Sequence, residues 1–176
     1  FGWKYVNLIP SSVKSFVALG APHTSNYDFF PGMGANYYLK GKFVIKSDWL
    51  KFPFGAIFKS MGAIGVNREL IKEGKVASST DLLANLFKEY SDLKLLIAPE
   101  GTRSPVKEWK SGFYYIAQKA GVPIVLGFAD YKKKEYGLGA IIYPTNFEDD
   151  MKKIMDFYRH IQGHTPKNFF LDHRFS

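Results

Sequence analysis

Apolar runs of strand length recur along the chain: Tyr5 to Ile9, Phe16 to Leu19, Phe43 to Ile45, Leu93 to Ala98, Pro123 to Phe128 and Ala140 to Tyr143. Several are nearly continuous rather than alternating, the pattern of strands buried on both faces. Helical spacing takes over between them. Ser79-Thr80-Asp81 offers capping oxygens ahead of Leu83, Leu86, Phe87 and Tyr90, which predicts a helix. Tyr114, Ile116, Ala117 and Ala120 form a weaker stripe, stopped by Gly121 and Pro123. A last helix is predicted over Phe147 to Ile161, ending at Gly163, and another over Tyr27 to Leu39 in spite of Pro31 and Gly32.

Strands alternating with helices predict an α/β fold, a single domain over residues 1–176 with a mostly parallel central sheet flanked by helices. No internal repeat, low-complexity tract or long linker divides it. In open sheets of this class, ligands bind outside the carboxyl ends of the strands. Two polar clusters fall there. His23-Thr24-Ser25-Asn26-Tyr27-Asp28 follows the second apolar run, and Glu100-Gly101-Thr102-Arg103-Ser104 follows the fourth.

A histidine with a carboxylate five positions later can form a base and its orienting partner, able to take a proton from an alcohol. Taken alone, the pair reads equally well as a helix-capping aspartate beside a loop histidine. In the second cluster Arg103 offers a planar donor fork suited to phosphate or carboxylate, with Glu100 placed to orient it. Gly101 lets a backbone N–H approach a ligand closely. Arg68, at the end of the short apolar segment from Gly62, is either a second phosphate clamp or a solvated cation after a strand. Lys46 precedes an aromatic and proline-rich stretch, Trp49 to Gly55, that suits either acyl chains or core packing.

Charge and composition narrow the field. The chain carries 24 Lys and Arg against 16 Asp and Glu, a formal net charge of +8, so anionic partners are expected. Its 17% aromatic content suits a bilayer interface or single-stranded nucleic acid. Neither an RNA-recognition signature nor a helix-turn-helix pattern is present, so nucleic acid is not expected as a partner. Cysteine is absent, which excludes disulfides, zinc–thiolate sites and thiol nucleophiles. His160 and His164 lack the Glu or Cys that a zinc pattern needs, and no metal is expected. Lys132-Lys133-Lys134 reads as a solvated turn between strands, with anionic lipid as a second reading. No stretch reaches the roughly 20 apolar residues of a spanning helix. The N-terminal segment, broken by Lys4, Pro10, Ser11, Ser12 and Lys14, is neither signal peptide nor membrane span.

The order His23-x-Ser25-x-x-Asp28, Lys46 ahead of Phe52-Pro53-Phe54-Gly55, Arg68, Glu100-Gly101-Thr102-Arg103-Ser104 and Val122-Pro123-Ile124-Val125 resembles the glycerolipid acyltransferases. The nearest branch resembles the 1-acylglycerol-3-phosphate (lysophosphatidic acid) acyltransferases. The resemblance runs from about residue 20 to about residue 128. It implies transfer of a fatty acyl group from a thioester, on coenzyme A or acyl carrier protein, to the hydroxyl of a lyso-lipid. It implies His23 as general base and Asp28 as its orienting partner. Arg103 and Arg68 would hold the acceptor phosphate with help from Lys46, while Glu100, Gly101 and Thr102 belong to the acceptor pocket. The thioester is a co-substrate, and no resident cofactor is implied.

Three departures from the family's pattern keep the acceptor open. Asn67 stands where an acidic residue is usual, and Gly65 where a bulky apolar one is common. No apolar anchor precedes the His23 block, and the short chain leaves little material for an acyl-chain tunnel. The expectation is therefore an enzyme peripherally bound to an anionic membrane, at its cytoplasmic face. Acylation of another lyso-lipid or an amine-bearing lipid is the alternative within the class. A non-catalytic module binding lipid or acyl carrier is the alternative outside it.

Overall fold

Phe16-Val17-Ala18-Leu19 and Ile124-Val125-Leu126 have almost no residue in contact with solvent, so both segments lie at the centre of a sheet covered on both faces. The computed structural model describes residues 2–46, 50–51, 53, 55–66, 73 and 78–176. The side chain of Lys46 and the whole of Arg68 lie outside the described residues, as do Trp49, Phe52, Phe54 and Asn67. The strands are β1 (Lys4–Asn7), β2 (Phe16–Gly20), β3 (Lys42–Lys46), β4 (Ala63–Val66), β5 (Lys94–Ile97), β6 (Ile124–Asp130) and β7 (Glu135–Ile142). They form one sheet in the order β1-β7-β6-β2-β5-β3-β4. Every neighbouring pair is parallel except β6 with β7, as the continuous apolar runs led one to expect.

The helices are α1 (Phe29–Leu39), α2 (Gly55–Ser60), α3 (Ser79–Glu89), α4 (Gly112–Ala120) and α5 (Phe147–Tyr158). Ser78 caps α3 by accepting from Asp81 N, and Asn146 caps α5 by accepting from Asp149 N. Gly121 ends α4 in the left-handed conformation. Pro31 falls in the first turn of α1, where its missing N–H costs no helical bond. The last helix stops at Tyr158, short of Ile161, because residues 161–168 turn back toward the second strand.

Two cores result. One face of the sheet packs Val17, Leu19, Leu95, Ile124 and Leu126 against α3, α4 and α5, with Trp109 and Tyr158 in the same cluster. The other packs Phe16, Ala18, Val125 and Leu138 against Leu39 and Ala35 of α1. The chain end reinforces the loop after β5. Fully buried Asp172 accepts from Trp109 N at 2.8 Å and pairs with Arg174 Nη2 at 2.7 Å. Burial alone would raise that carboxyl, yet Arg174 and the backbone donors hold it below its ordinary value. Lys110 N then bonds Pro99 O at 2.9 Å, closing the loop that carries Glu100 to Arg103.

Candidate active site

Register brings the two polar clusters to one level. Leu19 pairs with Ile97, so His23 and Glu100 emerge a few residues beyond adjacent, parallel strand ends. His23 is half-buried, its ring about 28% exposed. Asp28 ends the single 3-10 turn that leads into α1, but its carboxylate caps no N–H of that helix. It turns back instead. Oδ2 accepts from Thr24 N at 2.6 Å and Ser25 N at 2.8 Å, and lies 3.8 Å from His23 Nδ1. The capping alternative is therefore not what this aspartate does. At 3.8 Å the two groups are an ion-pair distance apart, and such contacts tighten when a reacting group draws the ring into line.

Glu100 does not orient Arg103. Its Oε1 accepts the backbone N–H of His23 at 2.8 Å, across 77 residues of sequence, while Oε2 is buried with no hydrogen-bond partner among the described residues. Burial pushes this carboxyl up to about 7 against the hydrogen bonds that oppose it. With no counter-cation among the described residues, this buried acid holds its proton more tightly than a solvated one. Gly101, at φ 68°, makes the turn that follows, and the Lys110 side chain lies over it. Thr102 and Arg103 are exposed, and Ser104 N bonds Thr102 Oγ1 at 3.2 Å.

A cavity of about 520 Å³ opens beside the imidazole, between α1 and the sheet. His23, Asp28 and Arg103 line it together, and the rest of its wall is mostly apolar, including Ala18, Leu39 and Leu138. A Cβ added at Gly20 on the sheet side or Gly32 on the helix side would touch nothing within 4 Å, because both face this space. Although the short chain is expected to leave little material for an acyl-chain tunnel, a cavity of this size is present beside His23. Small residues on β2 and α1 leave this space unfilled.

A family model for acyltransferases matches residues 14–125 of the chain. The chain belongs to the acyltransferase family. Its fold is similar to the crystal structure of the 1-acyl-sn-glycerophosphate (LPA) acyltransferase PlsC from Thermotoga maritima, with a TM-score of 0.54 at 17% identity. That likeness covers 83% of this chain and 64% of PlsC, so the chain spans less than two thirds of that relative's length. No curated protein matches the chain.

The matched stretch of the acyltransferase model contains both polar clusters but leaves out residues that complete the site. Tyr131, just beyond β6, buries its hydroxyl beside Asp28. Burial first, and the Asp28 carboxylate second, raise this phenol, though neither its oxygen nor Asp28 Oδ1 makes a hydrogen bond of ordinary geometry. Thr24 is held from behind, its Oγ1 accepting from Thr165 N at 3.1 Å and its carbonyl from Asn168 Nδ2 at 3.4 Å. A Cβ on Gly163 would come 2.8 Å from Pro22, so this segment packs directly on the His23 loop. Nothing in the sequence marks Tyr131 as a site residue, and Gly163 reads there only as a helix stop. Their roles come from strand ends that only the fold brings together. His164 stacks on Tyr27, and no group of three or more metal-binding side chains occurs among the described residues.

Burial, and then the Arg103 guanidinium, lower the His23 ring below its ordinary 6.5, with Asp28 opposing in part. Arg103→Met should therefore raise the His23 midpoint, read from the ring C–H shifts in an NMR titration. A midpoint that stays put or falls contradicts this electrostatic account. Glu100 makes a separate prediction. Holding its proton to about 7 rather than 4.5, it favours the folded state below pH 4.5, and that advantage drains away as pH rises to about 7. At about 1.4 kcal/mol per pH unit the loss reaches roughly 3 kcal/mol, and Glu100→Gln should remove it. Urea denaturation of both proteins from about pH 4 to about pH 8 checks this; stability curves that run parallel rule it out.

Proposed function

We propose that this protein transfers a fatty acyl group from a thioester to the hydroxyl of a lyso-phospholipid, with 1-acylglycerol-3-phosphate as acceptor. The observation that carries the reading is one cavity, apolar along its length, with His23, Asp28 and Arg103 together on its wall. Pockets of this size and lining suit a ligand with a long apolar part and few polar groups. The acyl chain lies between α1 and the sheet, and its thioester carbonyl reaches the imidazole. The acceptor oxygen attacks that carbonyl carbon while His23 takes the hydroxyl proton. The tetrahedral adduct collapses, the C–S bond breaks, and the imidazolium returns the proton to the departing thiolate.

Asp28 acts through His23, holding the ring by Nδ1 so that the other nitrogen faces the hydroxyl. A ring midpoint below 6.5 leaves the base neutral at physiological pH, which the reaction requires. Arg103 attracts the acceptor phosphate, with Arg68 and Lys46 as its partners in that task. Glu100 places the His23 backbone, while Gly101 and Thr102 form the turn that presents Arg103. The setting is the cytoplasmic face of an anionic membrane. Phe30 and Tyr37 stand exposed on α1, and a basic chain with such aromatics suits an interface rather than a span. No described helix is long and apolar enough to cross a membrane.

His23→Ala should lower lyso-lipid-dependent release of thiol from acyl thioesters by about 10²- to 10⁴-fold without loss of fold. Transfer at the wild-type rate would remove the general base from the mechanism. Absence of transfer by the wild type to any lyso-lipid, with thioester or lyso-lipid still bound, would make the chain a binding module. Gly20→Val tests the cavity on its own. The branched side chain projects into open space, so the preferred thioester should shift toward shorter acyl chains. An unchanged chain-length profile means the acyl group lies elsewhere.

A further inference from the structure

A second cleft, of about 660 Å³, opens on the same rim of the sheet and is lined by cations that the mechanism above leaves unused. Lys132 and Lys133 come from the turn joining β6 to β7, and Arg159 and His160 from the end of α5. Asp130, the one acid lining it among the described residues, is almost fully buried and accepts the backbone N–H groups of Lys132 and Lys133 at 3.0 and 3.2 Å. Lys133 also pairs with Asp130 at 3.7 Å, and Arg159 with the solvated Asp156 at 3.8 Å. No acid among the described residues pairs with Lys132. The cleft therefore has cationic capacity that its own acids do not consume.

Position connects it to the reaction. Gly127 of β6 pairs with Gly20, three residues before His23, and Asp130 stands three residues beyond Gly127. Both leave the same edge of the sheet, Asp130 at the end of β6 and His23 in the loop after β2. Gly163 lines the cleft and packs against Pro22 and Thr24, so one thin wall separates the two spaces. The apolar cavity lies on the α1 side of the sheet and the basic cleft beside the end of α5.

We infer that this cleft seats the phosphate of the acyl donor's phosphopantetheine arm. The inference rests on the acyltransferase reading for its occupant. An acyl thioester places a long tail on one side of the reacting carbonyl and a flexible arm ending in phosphate on the other. Coenzyme A and acyl carrier protein both carry that arm. Charge-assisted bonds from lysine and arginine suit a phosphate ester, and their grip weakens with salt.

Direct binding of 4′-phosphopantetheine and of pantetheine, which differ by the phosphate alone, tests the site by calorimetry. The phosphorylated form should bind more tightly at low salt. Lys132→Ala with Lys133→Ala should erase that advantage and raise the KM for acyl donor by about tenfold, leaving the KM for lyso-lipid in place. Arg159→Ala should act in the same direction. Equal binding of the two probes, or an unchanged donor KM in the double variant, overturns the inference. Coenzyme A and a holo-acyl carrier protein are compared in separate arms, and whichever loses affinity in the double variant is the source of the phosphate. Loss in neither arm also overturns it. Binding and transfer measured together on the wild type separate the two questions: a phosphate preference without transfer to any lyso-lipid keeps the cleft and discards the enzyme, whereas transfer without the preference does the reverse.

Discussion

A single hydrogen bond, from the backbone N–H of His23 to the buried carboxyl of Glu100, ties the two halves of the site together. Each half sits on its own strand end, and parallel pairing alone fixes only their height. The loop beyond β2 must still be aimed. A carboxyl removed from water needs donors, and His23 supplies the one that Oε1 finds at 2.8 Å. Satisfying Glu100 therefore requires the loop to pass at one place. Asp28 completes the aim from the other side, taking Thr24 N and Ser25 N into the same carboxylate oxygen that faces the imidazole. The ring is positioned by backbone geometry on both flanks before any substrate arrives.

The same region stays open because its residues are small. Gly20 ends β2 facing empty space, Gly32 faces it from α1, and Ala18 and Ala35 line the same cavity with short side chains. Leu39, with Ala35 packed beside it, joins α1 to the core of Phe16 and Val125. A space left by small residues along strands of a rigid sheet has a fixed shape. That favours a flexible apolar chain, which can adopt the shape, over a rigid ligand, which would have to match it.

Strand runs and helix spacing were enough to predict the sheet and its mostly parallel character, because continuous apolar segments such as Phe16 to Leu19 have few other uses. Edges were less legible. β7 starts at Glu135, well before Ala140, since Gly137 and Gly139 interrupt the apolar pattern although Gly137 still pairs with Phe128 of β6 and Gly139 falls at a break in the register. α2 was not anticipated, its six residues being too few for a periodic stripe. At the site, spacing placed His23, Asp28 and Arg103 on one rim. It misassigned Glu100, which holds the histidine backbone and leaves Arg103 alone, because a motif records which residues are present and not which atoms they grip. Nothing in the sequence marks Tyr131, which reaches Asp28 from the end of β6, and Gly163 reads there only as a helix stop until the return of residues 161–168 to Thr24 brings it to the site.

That returning segment lies beyond the residues that the family model matches, yet it serves both sides of the rim. Thr165 and Asn168 brace Thr24, while Gly163 walls the basic cleft. A shift of the segment would move the back of the His23 loop and the mouth of the cleft together, since a close contact such as Gly163 against Pro22 transmits displacement rather than absorbing it. For an amphiphilic thioester this coupling has a direct consequence. In the donor proposed above, tail and phosphate would lie on opposite sides of the carbonyl, so the wall between the two spaces would set where the carbonyl comes to rest relative to the imidazole.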